Sequence, residues 1–347
     1  MTSESMNHIK LSVCIATRNR AGYIGETLNS IIGQATEDVE IVVLDGASTD
    51  ATPSVVTNIQ ATFPCLRYVR QEKNGGVDRD YDAAVTHARG EYCWLMSDDD
   101  LLKPGAIRKV LDAVAEGYSL VVVNAELRSL DLSELIDARR LQFGADRTYG
   151  VSEFDLLFAE TSAYLGYIGA VVIRRDIWMA RQREPYFGSW FIHQGVIFQC
   201  PLPGPSRVIA EPLISVRFGN TQWRPKEFEI RMIRWPDLIA SLSAVSQDVR
   251  RQHYPVEPWR SIKSLFFYRA KGTYDLDNYR RWIRPRAHRS QDRIRAWLIA
   301  CFPGVLANLV GLVYCRLPYR DSNVHLLDMK ASRFFYRNWF KKAPGQL

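Results

Sequence analysis

The feature that most constrains this chain is a short apolar run that ends at three carboxylates. Residues 92–96 have the length and content of a buried strand, and Asp98, Asp99 and Asp100 follow after one serine. Apolar side chains then recur at helical spacing over residues 107–114, which predicts a helix. Open α/β sheets bind ligands at the carboxyl ends of their strands. We therefore expect the three acids to line a binding site at the edge of a sheet.

Three adjacent carboxylates repel one another and need a compensating positive charge. A hard divalent cation, Mg²⁺ or Mn²⁺, supplies that charge when it is shared with a diphosphate. The alternative is a solvated turn or a helix N-cap, which is the better interpretation of an isolated acidic triplet. The buried strand before the triplet and the polar strand ends described next favour the cation site.

Strands and helices alternate along the first 125 residues. Apolar runs predict further strands at 11–16, 40–44 and 119–123, and another strand is predicted at 66–70. The helix before the acidic strand is predicted to cover about 80–89 and to end at Gly90. Such alternation predicts an α/β fold with a mostly parallel sheet flanked by helices.

Two other predicted strands also end in polar loops. The segment 17–20, Thr-Arg-Asn-Arg, follows the first strand, and the segment 45–50, Asp-Gly-Ala-Ser-Thr-Asp, follows the second. A loop that leads into a helix presents polar side chains and backbone N–H groups to an anion. Asp45 is placed to accept hydrogen bonds from a ribose or a base. Ordinary strand–helix connections are the alternative, and Asp50 fits that description better.

These motifs in series resemble the family 2 glycosyltransferases of the GT-A fold. The matching segments are CIATRNR at 14–20, VLDGASTDAT at 43–52, Gly76, Asp82-Ala83, ARGEY at 88–92 and SDDD at 97–100. The resemblance covers the first third of the chain and extends more faintly to about Phe228. It implies a GT-A catalytic domain over residues 8–225, with a nucleotide-sugar-binding half at 8–125 and an acceptor half at 126–225.

The resemblance also implies roles for individual residues. Those placed on the nucleotide sugar are Thr17, Asn19, Asp45, Arg79 and Asp98. Asp98 serves the ribose or the metal, and Asp100 binds the metal ion, Mg²⁺ or Mn²⁺. One departure concerns the end of the second strand, where many members carry two acids and this chain has Gly46 as the second residue. The identity of the nucleotide therefore stays open.

The acceptor half is less regular. Residues 129–147 are polar, have a helical appearance and are placed to cover the site. Inverting transfer needs a base that removes the proton of the acceptor hydroxyl. His193 has a suitable ordinary pKa, Glu184 is the acidic alternative, and a hydrogen-bonded core histidine is an equally weighted interpretation of His193. Arg217, which follows a strand-like run at 207–214, is placed to meet the leaving diphosphate.

The region 226–347 is predicted to be helical, basic and membrane-associating. From residue 260 onward there are eighteen Lys and Arg against five Asp and no Glu, a net charge of +13, whereas the first 259 residues carry −6. Residues 297–314 are apolar, but Pro303 and Asn308 interrupt them, so we interpret them as two short helices in the membrane interface. Flanking arginines and the basic, aromatic segment 333–342 suit an anionic leaflet. A helical subdomain that packs this stripe internally or on a second subunit is the alternative.

The remaining features indicate where the protein works. Six cysteines without a CxxC or a metal-ligand spacing, and a polar N-terminus without an apolar signal core, predict a cytoplasmic protein that is peripheral on the inner face of the cell membrane. A nucleotide-dependent oxidoreductase is disfavoured because ATRNRAG at 16–22 lacks the glycines of a GxGxxG motif.

The sequence thus predicts an enzyme, a hexosyl- or deoxyhexosyltransferase. It would move a sugar from a nucleotide-diphosphate donor to a lipid-linked (polyprenyl diphosphate) saccharide, with metal assistance and inversion, in surface polysaccharide synthesis. The layout resembles bacterial O-antigen, lipopolysaccharide and capsule transferases, abequosyltransferase-like enzymes included. The alternative is a non-catalytic nucleotide- or nucleic-acid-binding protein that uses the basic C-terminal tail. No nucleic-acid-binding motif supports that alternative, so no nucleic-acid partner is expected.

Overall fold

The computed structural model describes residues 9–316 and 323–336. The chain forms two compact units. The first comprises residues up to 218 together with 241–253, and the second comprises 219–240 together with the residues from 254 onward.

The first unit is built on a ten-stranded sheet. Its strands are β1 (Leu11–Thr17), β2 (Val39–Asp45), β3 (Leu66–Arg70), β4 (Tyr92–Met96), β5 (Leu101–Leu102), β6 (Leu120–Arg128), β7 (Leu135–Asp137), β8 (Arg147–Tyr149), β9 (Val171–Arg174) and β10 (Ser206–Arg217). The strand order is β3-β2-β1-β4-β9-β6-β10-β5, with β7 beside β6 and β8 beside β10. Strands β3, β2, β1 and β4 run parallel, as the alternation predicted, and β10 runs parallel to β6. Strand β9 is antiparallel to β4 and β6, which makes the sheet mixed.

The helices of both units follow in chain order: α1 (Ile24–Ile32), α2 (Thr52–Gln60), α3 (Val77–His87), α4 (Ala106–Ala115), α5 (Phe154–Thr161), α6 (Arg175–Ala180), α7 (Ile192–Phe198), α8 (Glu227–Glu229), α9 (Trp235–Ser241), α10 (Gln247–His253), α11 (Ile262–Lys271), α12 (Leu276–Asn278), α13 (Ser290–Cys301), α14 (Gly304–Cys315) and α15 (Asn323–Lys330). Short 3₁₀ turns connect several of them, among them Glu184–Tyr186.

The core of the first unit forms where the alternating side chains of the central strands meet the apolar faces of the helices. Leu11, Val13 and Ile15 point to one face of β1 and share an apolar cluster with Ile24 and Leu28 of α1. All five are fully buried. Burial of each such side chain contributes about 1.5–3 kcal/mol to the stability of the fold. This burial fixes β1 and its neighbours, and therefore fixes the positions of the loops at their ends.

Gly90 does not end a helix, contrary to the sequence prediction. Helix α3 stops at His87, and the residue after it is already extended. The N–H of Gly90 donates to Ser12 Oγ at 2.8 Å, and a Cβ added at residue 90 would lie 2.6 Å from the same oxygen. Glycine is therefore required here because the backbone passes close to β1.

The helical appearance of residues 129–147 is also misleading, because this segment holds the short strand β7, ends at the first residue of β8 and contains no helix. The carboxylate of Asp131 accepts hydrogen bonds from the hydroxyl of Ser129 and from the N–H of Ser133. Side chains of this kind give the backbone a local alternative to helical hydrogen bonds. The polar residues 129–133, whose composition suggested an exposed helix, therefore form a turn.

The second unit is helical, as predicted. Phe228, Trp259 and Tyr274 are buried in its apolar core. Lys271 is buried as well, and its ammonium pairs with the carboxylates of Glu227 and Asp328, the latter at 2.8 Å. This pairing compensates a charge that would be costly to bury alone.

The apolar stripe of the second unit forms two helices, α13 and α14, as the Pro303 interruption predicted. Across residues 9–316 and 323–336, no single helix has both the length and the apolar content of a membrane span. Together, α13 and α14 reach that length and composition, but they are bent by 95° at the break. Arg320 and most of the predicted basic segment 333–342 lie outside the described residues.

Candidate active site

The polar ends of β1, β2 and β4 lie side by side at one edge of the sheet. Thr17 is opposite Asp45 in the register of β1 with β2, and Ile15 is opposite Met96 in the register of β1 with β4. The loops 17–20, 45–50 and 97–100 therefore start from neighbouring positions. The structure thus brings together the three segments that the sequence predicted to form one site.

Asn19 connects the first of these loops to the second. Its N–H donates to Ser48 Oγ at 2.9 Å, and its Oδ1 accepts from the N–H of Thr49 at 2.8 Å. Its φ of 55° lies in the left-handed region, which asparagine tolerates better than most residues. The side-chain oxygen of Asn19 shapes the loop, and its contact with a nucleotide stays a prediction.

Asp45 is fully buried at the end of β2, and both of its carboxylate oxygens have a donor. Oδ1 accepts from the N–H of Ser48 at 2.7 Å, and Oδ2 accepts from the hydroxyl of Tyr68 at 2.6 Å. Burial and the Asp45 carboxylate both raise the pKa of Tyr68, which therefore stays protonated and donates. Tyr68 lies on β3, and the sequence did not single it out.

Arg20 is the positively charged partner of the acidic triplet. Its Nε lies 3.3 Å from Asp98 Oδ1, and its Nη2 lies 3.2 Å from Asp99 Oδ2. The side chains of these two acids are 13% and 14% exposed, so they are reachable from solvent. The sequence placed Arg20 in a ligand loop but did not pair it with the triplet.

Asp100 is the most enclosed member of the triplet, at 2% exposure. Its Oδ2 accepts from the hydroxyl of Tyr167 at 2.7 Å, and its Oδ1 accepts from the backbone N–H of Arg217 at 2.9 Å. Both partners follow β6 in the chain. The structure thus orients Asp100 through contacts that are distant in sequence.

The triplet holds more negative charge than its surroundings compensate. Burial, and then the neighbouring charge of Asp99, raise the pKa of Asp98 to about 7, although Arg20 opposes this shift. Burial and Asp99 likewise raise the pKa of Asp100 to about 7, against the hydrogen bonds from Arg217 and Tyr167. An additional positive charge at this edge would therefore be bound favourably.

Hard carboxylate oxygens with an uncompensated charge fit a divalent cation in their chemistry. Within the part of the chain that the structure describes, however, no group of three His, Cys, Asp or Glu side chains is arranged to hold a metal ion. Asp98 and Asp100 could thus supply two ligands, and the remaining ligands would come from water or from a bound diphosphate. Such sharing is typical of magnesium sites on phosphates.

Comparison with known proteins identifies a family for the part of the chain that carries the three polar strand ends. The profile described as Glycosyl transferase family 2 matches residues 12–176, which contain all three polar strand ends. Residues 12–176 belong to glycosyltransferase family 2. The protein is therefore a transferase, as the motif series predicted.

Two curated relatives of this glycosyltransferase are bacterial. The abequosyltransferase RfbV of Salmonella typhimurium is 28% identical over 233 residues, which cover 62% of this chain and 69% of RfbV. The GalNAc(5)-diNAcBac-PP-undecaprenol beta-1,3-glucosyltransferase of Campylobacter jejuni is 31% identical over 182 residues, which cover 52% of this chain and 57% of that protein.

A solved structure similar to this glycosyltransferase is that of S. aureus TarS residues 1–349 in complex with UDP. The TM-score is 0.56 at 15% identity, over 95% of this chain and 89% of that one. At this identity the likeness concerns the fold, which is the GT-A fold that the motifs implied.

Arg217 of the glycosyltransferase is buried, and protein groups surround its guanidinium. Nε donates to the carbonyl of Asp99 at 2.7 Å, Nη1 donates to the carbonyl of Leu130 at 3.0 Å, and Nη2 donates to the carboxylate of Glu26. In this arrangement Arg217 links the acidic triplet to α1 through hydrogen bonds. The predicted contact with a leaving diphosphate would require it to exchange these partners.

Arg79 is exposed in the first turn of α3, and its guanidinium stacks on the ring of Phe187 with 4.2 Å to the centroid. The preceding residue, Asp78, is buried and accepts hydrogen bonds from the N–H groups of Gly188, Trp190 and Ile192 at 2.8, 2.9 and 3.1 Å. Asp78 thus holds the loop before α7 against the start of α3. No sequence pattern indicated this contact.

The two predicted catalytic bases lie in different environments. His193 is 1% exposed, its Nε2 lies 2.5 Å from the carbonyl oxygen of Leu165, and burial lowers its pKa to about 4. This position favours the core histidine that the sequence left open as an alternative. Glu184 is exposed, and backbone N–H groups, first its own and then that of Arg183, lower its pKa. Nearby Arg79 lowers that pKa further, so Glu184 is ionised at neutral pH and can accept a proton.

Proposed function

We propose that this glycosyltransferase moves a sugar from a nucleotide-diphosphate donor to a lipid-linked saccharide during the synthesis of a bacterial surface polysaccharide. The relatives support the donor and acceptor classes. RfbV is named an abequosyltransferase, and the name of the Campylobacter jejuni relative contains a PP-undecaprenol saccharide. The TarS structure was solved with UDP.

The observation that carries the proposal is the acidic triplet beside Arg20 at the carboxyl ends of parallel strands. Asp98 and Asp100 would hold a divalent cation, which when bound stabilises the negative charge of the departing diphosphate. Arg20 contributes positive charge at the same edge, next to Asp98 and Asp99. The transfer would be inverting, with Glu184 rather than His193 taking the proton of the acceptor hydroxyl.

Titration with nucleoside diphosphates tests the donor class directly. We expect one of UDP, GDP, CDP or dTDP to bind in isothermal titration calorimetry, and Mn²⁺ to tighten that binding at least tenfold, because cation and diphosphate share the site. The matched control is the same titration of Asp98→Asn/Asp100→Asn, in which the Mn²⁺ effect should vanish. Binding of oligonucleotides without binding of any nucleoside diphosphate would instead support the non-catalytic alternative.

The second unit has an exposed apolar surface that suits contact with the membrane in which a lipid-linked acceptor is anchored. Exposed apolar side chains recur every three or four residues along both helices of the bent pair: Ile294, Trp297 and Leu298 on α13, and Leu306, Leu309, Val310 and Val313 on α14. Among these, Val313 is 64% and Leu298 is 54% exposed. An exposed stripe of this kind is typical of helices that lie in a membrane interface. Arg289, Arg293 and Arg295 are exposed on and just before α13 and carry the charge that attracts anionic lipids.

Replacing part of this stripe should release the protein from membranes. We expect wild type to cosediment with phosphatidylglycerol vesicles and the Leu298→Ser/Leu309→Ser/Val313→Ser variant to bind at least tenfold more weakly, because apolar area that would leave water is lost. Leu130→Ser/Leu135→Ser, which removes exposed apolar side chains of the first unit, is the control and should bind like wild type. Equal binding of the triple variant, or a wild type that dimerises through the stripe without binding vesicles, would overturn the membrane proposal.

A further inference from the structure

Asp80 fills the space that a side chain at residue 46 would occupy. It lies in the first turn of α3, whereas Gly46 directly follows β2. A Cβ added to Gly46 would lie 2.6 Å from Asp80 Oδ2, and a Cβ added to Gly75 would lie 3.0 Å from Asp80 Oδ1. The two glycines therefore leave room for the Asp80 carboxylate between them. Residue 46 is also the position at which this chain departs from the two-acid pattern that the resemblance implied.

The Asp80 carboxylate has no hydrogen-bond donor among the described residues. Asp80 is 6% exposed, and within residues 9–316 and 323–336 its side chain has neither a hydrogen bond nor an ion pair within 4.0 Å. Burial raises its pKa to about 6, with Arg18 opposing the shift and Asp45 adding to it. A shielded carboxylate that has no protein donor is available to a ligand, and an N–H or O–H of that ligand would stabilise it. Asp45, by contrast, already has a donor on each oxygen.

Asp80 and Asp45 lie at the corner between α3 and the end of β2. The charge of this corner determines which part of a nucleotide sugar binds there. Asp80 and Asp45 are both acidic, and the nearby Arg18 and Arg70, the latter 4.0 Å from Asp45, only balance their charge, so phosphate groups meet no excess of positive charge here. The diphosphate is better held at the neighbouring strand end, by Arg20 and by a cation on Asp98 and Asp100. The part of a nucleotide sugar that offers N–H and O–H donors without negative charge is the nucleoside.

We propose that Asp80 accepts a hydrogen bond from the nucleoside of the donor, either from a base N–H or from a ribose hydroxyl, and so replaces the acid that is missing at residue 46. This inference rests on the proposed nucleotide-sugar donor. It assigns to helix α3 a carboxylate that takes part in binding the nucleoside.

A charge-relocation experiment tests this assignment. The variants are Asp80→Ala, Asp80→Asn and Gly46→Asp/Asp80→Ala, with Asp112→Ala on the exposed face of α4 as the control. The double variant restores an acid from the β2 side, which the backbone permits because φ at Gly46 is not positive. Each protein is titrated with the nucleoside diphosphate that wild type binds, with its 2′-deoxy analogue and with inorganic pyrophosphate, after its melting temperature has been checked.

We expect Asp80→Ala and Asp80→Asn to weaken the binding of the nucleoside diphosphate at least tenfold. The binding of pyrophosphate should weaken less than twofold. The double variant should recover most of the loss, and Asp112→Ala should bind like wild type. If the loss disappears with the 2′-deoxy analogue, the hydrogen-bond donor is the ribose 2′-hydroxyl; if it persists, the hydrogen-bond donor is the base or the 3′-hydroxyl. Wild-type affinity in a folded Asp80→Ala or Asp80→Asn overturns the Asp80 inference alone. A wild type that binds no nucleoside diphosphate overturns this inference and the proposed function together.

Discussion

Asparagine in place of Asp98 or Asp100 is expected to lower kcat by about 10²–10³-fold while the protein stays folded. Removal of one preorganised group that stabilises developing charge costs roughly this much in well-studied enzymes. Asparagine keeps the size of the side chain and one acceptor oxygen but loses the negative charge that a divalent cation needs. Asp100→Asn in particular leaves an oxygen for the hydroxyl of Tyr167 or the N–H of Arg217.

The measurement is release of the nucleoside diphosphate from the sugar donor that the titrations identify, with and without Mn²⁺. Asp112→Asn, on the exposed face of α4, is the control for a simple change of charge and should leave kcat within twofold. Thermal melting separates a chemical defect from unfolding. Full activity of both triplet variants would show that the acids do not take part in the reaction.

The central strands were predictable because their sequence pattern reflects burial. The run at 92–96 coincides with β4, and the run at 11–16 lies within β1. In a parallel sheet covered on both faces, nearly every residue of a strand is apolar, so the strand stands out as a continuous run. Polar residues at the end of such a run must then lie at the edge of the sheet, which is why the three site loops could be predicted to meet.

The partners of the site residues were less predictable, because they depend on tertiary contacts. Tyr68 bonds to Asp45 from a neighbouring strand, and Tyr167 bonds to Asp100 from 67 residues further along the chain. Gly46 illustrates the same limit on prediction. The resemblance implied an acid that this chain lacks, but only the fold shows that the carboxylate of Asp80 occupies that space. Residues that could donate or accept were visible in the sequence, whereas their pairing was not.

Exposed polar segments were the least predictable part of the fold. Residues 129–147 contain no buried stripe, so their composition alone suggested a helix. Hydrogen bonds around Asp131 decide the local conformation instead, and β7 and β8 then pair with the edges of β6 and β10. The prediction that Gly90 ends a helix was wrong for a related reason. A glycine that is needed for close packing cannot be distinguished in a sequence from a glycine that ends a helix.

The second prediction concerns the catalytic base, and it separates the two candidates. Glu184→Gln is expected to lower kcat by about 10²–10⁴-fold, the usual contribution of a general base, with little change in donor affinity. His193→Gln is expected to leave kcat within a few-fold. Glutamine can donate to the carbonyl of Leu165 as the ring of His193 does, and the site is closed to solvent. Steady-state kinetics and donor titration of both variants make the comparison.

His193 should instead affect stability in a pH-dependent manner. Burial lowers its pKa in the folded protein to about 4, below the ordinary value of 6.5, so the unfolded chain binds the proton more tightly. The free energy of unfolding should therefore fall as the pH is lowered from about 6.5 towards 4, by roughly 3 kcal/mol in total. His193→Gln should remove this contribution, which urea unfolding at several pH values would measure. A folded His193→Gln that has lost turnover, together with an active Glu184→Gln, would assign the base to His193.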